Sequence, residues 1–201
     1  MSTVFFNLIS VSGPKHEVRR FRNDARRRLS PSVRKAGGVQ QVDFSLEHLF
    51  AKHRLAAPSS DGIPQDAGHY FTTALPMTKW HTFARVLYEF EVKNNQMYVF
   101  LIPLSRCYAE LCFVDSELCL DDGSVSSFYV SRGRVSTWDL PEDRQNSHWE
   151  RAAKSHGFAE LDDACIADDN VRSDAETAML TEGLTNWDDR VLRTLRKHRG
   201  S

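Results

Sequence analysis

Two tight-turn signals, Asp121-Asp122-Gly123-Ser124 and Arg132-Gly133-Arg134, interrupt strand-forming sequence and constrain this chain more than any other feature. Turn residues of this kind between apolar, β-branched segments favour hairpins. Cys107 to Leu120 alternates like one strand or two, Val125 to Val130 follows the first turn, and Val135 follows the second. Strands joined by short turns run antiparallel, so this pair of hairpins predicts an antiparallel sheet.

The N-terminal half supplies a further strand and its helix. Thr3 to Val11 is rich in aromatic and β-branched residues and apolar on both faces, as a central strand covered by a helix would be. Ser12-Gly13-Pro14 follows as a turn. Val18, Phe21, Ala25 and Leu29 then recur at spacings of three and four, the stripe of an amphipathic helix over Lys15–Leu29, ended by Ser30-Pro31-Ser32. Val39 to Leu46 reads as extended and Glu47 to His53 as a short helical turn. Residues 55–68 form the clearest loop, and Tyr70 to Ala74 is again extended. Trp80, Phe83, Ala84 and Leu87 suggest a second amphipathic helix over Met77–Tyr88, and Glu89 to Leu104 reads as strand material.

Beyond Pro141 the pattern turns helical. One helix is expected over Asp143–His156, closed by Gly157, and one over Asp174–Glu182, closed by Gly183. A last helix starts at an Asn186 cap, with Trp187, Val191 and Leu195 on one side. The expected class is α+β: a mostly antiparallel sheet with helices packed on one face, ferredoxin-like in order, plus C-terminal helices. Residues 1–140 form the α+β domain, and 141–201 a helical extension packed on it.

The opening FFNLISVSGPKHEVRRF, then VDFSLEHLF, then YFTTALP ahead of a predicted helix resemble, in that order, the YubB-type ferredoxin-like domain of plasmids and prophages. The resemblance covers about residues 3–130 and is carried by Gly13-Pro14, Phe44-Ser45-Leu46 and Thr73-Ala74-Leu75-Pro76. It implies a mobile-element setting, without an assigned activity and without catalytic residues to transfer.

Leu, Ile, Val and Phe make up about a quarter of the 201 residues, which excludes wholesale disorder. No apolar run approaches the length of a membrane span, and the N-terminus lacks the basic and small-residue features of a signal peptide. The cysteines Cys107, Cys112, Cys119 and Cys165 fit no disulfide framework, so a reducing cytoplasm is expected, bacterial or phage as the resemblance implies.

The net charge is −1, but the charge is segregated. Residues 1–54 hold eleven Lys/Arg against four Asp/Glu, whereas Glu160 to Asp189 hold ten acids and one base, Arg172. The helix at Lys15–Leu29 carries most of the excess. Arg19, Arg22 and Arg26 follow one of its flanks at spacings that suit a phosphate backbone.

Other chemistry is poorly supported. Cys107, Cys112 and Cys119 lack the short pair that holds zinc, and the paired acids at 121–122, 162–163, 168–169 and 188–189 form no calcium loop. His48 and His53 are five apart and share no helical face well. Nothing in the pattern calls for a metal or a cofactor. The function expected is therefore a small non-enzymatic binding protein contacting nucleic acid through Arg19, Arg22 and Arg26. One alternative is a protein–protein adaptor or inhibitor acting through the acidic C-terminal segment. Another is an enzyme assembled from scattered groups such as His81, Glu110 and His148.

Overall fold

The computed structural model describes residues 3–25, 45–57, 83–93 and 96–199. Its centre is a five-stranded, wholly antiparallel sheet of strands β1 (Val4–Pro14), β2 (Phe83–Lys93), β3 (Cys112–Cys119), β4 (Val125–Ser131) and β5 (Arg134–Asp139), ordered β2-β1-β3-β4-β5. The hairpins read from the turn signals are β3–β4 and β4–β5. Arg132 and Gly133 both have positive φ, 51° and 75°, as a two-residue type I′ turn requires. A Cβ at Gly133 would also collide with the Arg106 side chain.

Helices cover both faces of the sheet. On one lie α1 (Lys15–Ala25), α2 (Leu46–His53) and α3 (Tyr98–Cys107). They bury Val18, Phe21, Leu49, Phe50, Phe100 and Leu104 against Ile9, Val11, Val86, Tyr88, Phe113 and Val130. Phe21 sits edge-on to Tyr88, Tyr108 and Phe113, with centroids 5.1–6.1 Å away. The C-terminal helices are α4 (Glu142–Ser155), α5 (Asp163–Ala167), α6 (Asp169–Thr185) and α7 (Asp188–Arg199). Met179, Leu180, Leu184, Trp187, Val191 and Leu195 pack on Leu8, Val114, Leu118, Val125 and Tyr129 of the opposite face. Strand alternation makes this possible: neighbouring residues of β1 and β3 feed different cores. At Gly183 a Cβ would run into Ser116, so α6 approaches β3 closely.

The class is α+β. Among the described residues the order is β-α-α-β-α-β-β-β followed by helices, which differs from the β-α-β-β-α-β of a ferredoxin-like unit. Several segments depart from the sequence reading. Ser12-Gly13-Pro14, expected as a turn, continues β1 because it pairs with the start of β2. Residues 83–88, expected as the end of a helix, belong to the strand Phe83–Lys93 together with the residues from Glu89 on that were expected as strand, because this stretch pairs with β1 over its whole length. Tyr98–Cys107 is a helix, not a strand, because an unbroken apolar run fits a buried helix as well as a buried strand. Gly183 lies inside α6 instead of closing a helix, and Asn186 caps the end of α6 instead of starting α7. Residues 58–68 of the loop, the extended segment at 70–74 and Leu29 lie outside the described residues.

Candidate nucleic-acid interface

Helix α1 starts directly after Pro14 and is clamped to the core by Val18, Phe21 and Ala25, all buried. The helical period turns two acids inward with this stripe. Glu17 and Asp24, seven residues apart, are both buried. Lys15, His16, Arg19, Arg20 and Asn23 face out. The inward acids are neutralised within the protein. Glu17 pairs with Arg20 at 2.9 Å. Asp24 is paired to Lys52 of α2 and accepts a hydrogen bond from the Tyr108 hydroxyl at 2.8 Å. Burial pushes the Asp24 carboxyl up, but the Lys52 and Tyr108 hydrogen bonds and the Lys52 and His53 charges outweigh it and hold the group below its ordinary value. The outward side of α1 is left with cations.

The three nominated arginines differ in setting. Arg19 is exposed and has no ion pair among the described residues. Arg22 is half-buried, and its Nε is buried without a hydrogen-bond partner. A desolvated donor left unpaired costs roughly 1–3 kcal/mol, more when charged. Arg26 lies outside the described residues. Arg20, between them, is exposed but already engaged: besides Glu17 it reaches the Cys107 carbonyl at 3.4 Å and covers the Tyr108 ring at 4.9 Å.

Beside this face, α1, α2 and the end of α3 converge on one hydrogen-bonded chain. Ser45 caps α2 through the His48 N–H, and its own N–H is held by the Ala25 carbonyl at the end of α1. The last turn of α2 thereby brings Lys52 to Asp24, and His53 Nε2 to the Tyr108 hydroxyl at 2.8 Å. Tyr108 has one proton, and it goes to the ionised Asp24. Its oxygen must then accept from His53, so His53 carries its hydrogen on Nε2 and leaves Nδ1 bare. Burial, with the charges of Lys52 and Arg20, lowers the His53 pKa against the opposing pull of Asp24. Burial also raises the Tyr108 hydroxyl well above its ordinary value, aided by Asp24.

The groups weighed for an enzyme do not form this cluster. His81 lies outside the described residues, and Glu110 is exposed in the turn between α3 and β3. His148 of α4 accepts from Arg151 at 3.0 Å and so donates from Nε2 to Glu182 of α6 at 2.6 Å. Arg144 pairs with the same carboxylate at 2.7 Å. The arrangement bridges α4 to α6. Cys107, Cys112, Cys119 and Cys165 are free thiols. Among the described residues no three His, Cys, Asp or Glu side chains gather as metal ligands.

Sequence reasoning missed Asp24, Tyr108 and a buried acid pair in β3. Asp115 and Glu117, two apart on one strand, share the face covered by α3. Asp115 is fully buried with neither oxygen in a well-formed hydrogen bond among the described residues, and Glu117 accepts from Gln96 at 2.7 Å. Burial raises the Asp115 carboxyl well above its ordinary value, and the Glu117 charge adds to this. Burial raises Glu117 to about 7, against the hydrogen bonds from Gln96 and the Met97 backbone. These donors sit at the start of α3, so the pair receives the N-terminus of that helix. Alternation in β3 was the available signal, since it puts both acids on the same face as Phe113. Compared with known protein families, curated proteins and solved structures, the chain matches none.

Proposed function

We propose that this protein binds nucleic acid through the outward face of α1, in the cytoplasm of a bacterium or phage-infected cell and in the mobile-element setting that the YubB-type resemblance implies. One observation carries the reading. The helix buries and neutralises both of its acids, while Arg19 stays exposed and unpaired among the described residues and Arg22 lies half-buried beside it. Phosphate oxygens supply the countercharge that this face lacks. Contacts of this kind position a protein on a backbone without reading sequence, so the affinity expected is broad and salt-dependent.

The test is binding to random-sequence duplex DNA and single-stranded RNA, at low and moderate salt, by wild type and by the variant with Arg19, Arg22 and Arg26 changed to Ala. Neutralising three phosphates contributes roughly 2.7 to the slope of log affinity against log salt on duplex DNA. Loss of a slope of that order in the variant supports the reading; no binding by wild type at low salt refutes it.

A second reading rests on a different observation. Leu161 and Ile166 are two of the large exposed apolar side chains, 37% and 40% exposed, and both lie in the acidic segment. An apolar pair ringed by acids suits a protein partner with a basic rim, as an adaptor or inhibitor would meet.

A further inference from the structure

We propose that His53 is the general base of a site that cleaves single-stranded RNA at the ribose 2′-hydroxyl, an inference that rests on the reading of α1 as a nucleic-acid face. The hydrogen-bonded chain runs from the buried Asp24 through Tyr108, itself buried, to His53, which is half-exposed. Tyr108 holds His53 by Nε2, and no hydrogen bond occupies Nδ1 among the described residues. A neutral imidazole fixed by one nitrogen, with the other bare at the surface, is equipped to take a proton. When it does, Asp24 stabilises the new charge through the Tyr108 hydroxyl.

The surroundings select the substrate. Arg20 and Lys52 both lie close enough to act on His53 electrostatically, and both side chains are about half exposed, at 50% and 46%. Arg20 belongs to α1, beside Arg19, and an anionic chain on this face is proposed to extend to the imidazole. RNA brings its own nucleophile, a 2′-hydroxyl beside each phosphorus, and needs only a base to start the reaction. His53 Nδ1 takes the 2′-hydroxyl proton, the 2′-oxygen forms a bond to phosphorus, and the bond from phosphorus to the 5′-oxygen breaks. The leaving 5′-oxygen takes a proton from water, and the imidazolium returns its proton to solvent. The products are a 2′,3′-cyclic phosphate and a 5′-hydroxyl. Tyr108 and Asp24 are positioning residues in this scheme. Among the described residues the charged groups that act on His53 are Asp24 and Arg20 from α1 and Lys52 from its own helix, with the neutral Tyr108 hydroxyl bonded to it, so the rate should fall on the acid side as His53 takes up a proton.

The experiment uses the full chain and an end-labelled single-stranded RNA, beside the same oligomer made entirely of DNA. Binding is measured by anisotropy and cleavage on a gel. The expected result is cleavage of RNA alone, with cyclic phosphate ends. His53→Gln should bind RNA within about twofold of wild type and cleave at least 100-fold more slowly. Tyr108→Phe should also bind normally, cleave at least tenfold more slowly and lose the Nε2–H preference of His53, read from imidazole nitrogen shifts. Wild type that binds RNA without cleaving it, or His53→Gln that cleaves like wild type, overturns this inference and leaves the binding reading standing. Absence of any RNA or DNA binding overturns both.

Discussion

Replacing Glu117 by Gln should make the protein more stable at neutral pH and remove part of its pH dependence. In the folded chain the Glu117 carboxyl titrates at about 7 instead of 4.5. Between those values the folded state holds a proton that the unfolded state has released. Stability therefore falls as pH rises through that window and levels off above it. At about 1.36 kcal/mol per pH unit, the rise amounts to roughly 3 kcal/mol withheld from the folded state at pH 8. Gln keeps the oxygen that accepts from Gln96 and puts an uncharged amide where the carboxylate was. For a chain of this size roughly 3 kcal/mol moves Tm by about 6–12 °C. The assay is thermal and urea unfolding of both proteins at pH 4.5, 6 and 8, followed by circular dichroism. The two should nearly coincide at pH 4.5 and diverge progressively to pH 8, with the variant more stable. A variant less stable at pH 8, or a difference that does not change across the window, refutes the account of a buried, poorly compensated acid pair.

Three further outcomes follow from the packing. Phe21→Ala removes the ring that Tyr88, Tyr108 and Phe113 surround and should cost about 3–5 kcal/mol in urea unfolding. Asp24→Asn takes the charged acceptor from Tyr108 and Lys52 and should cost roughly 1.5–3 kcal/mol at pH 7. Because the folded Asp24 carboxyl lies below its ordinary 3.8, that penalty is present above this value and disappears as pH falls through the folded one, which unfolding at pH 7 against pH 2.5 checks. Gly133→Ala strains a positive φ and presses on Arg106, so it should destabilise by at least about 1 kcal/mol in the same assay.

The parts of the fold legible in sequence are those set by local chemistry. The type I′ signal at Arg132-Gly133 and the Val18, Phe21 and Ala25 stripe act within a few residues, so β4–β5 and α1 stand where they are expected. The errors at residues 83–88 and at Tyr98–Cys107 arise where partners distant in sequence decide. The first is a strand because β1, some 80 residues earlier, pairs with it, and the second is a helix because the sheet buries its apolar run. The candidate site divides the same way. The outward position of Arg19 follows from the helical stripe. The fate of Asp24 does not, because Lys52 and Tyr108 are 28 and 84 residues away. His53 looked isolated in sequence because Tyr108, its hydrogen-bond partner, lies 55 residues on.

The central claim is that α1 presents its arginines to a phosphate backbone, and the most direct measurement is the salt dependence of nucleic-acid affinity in wild type and in the Arg19, Arg22 and Arg26 triple alanine variant. The account predicts binding by wild type that weakens steeply between 50 and 200 mM salt, roughly tenfold or more for two to three phosphate contacts, and a variant that binds weakly with a much shallower slope. Wild-type affinity that is absent at low salt, or that is equal in slope and strength to the variant's, contradicts it.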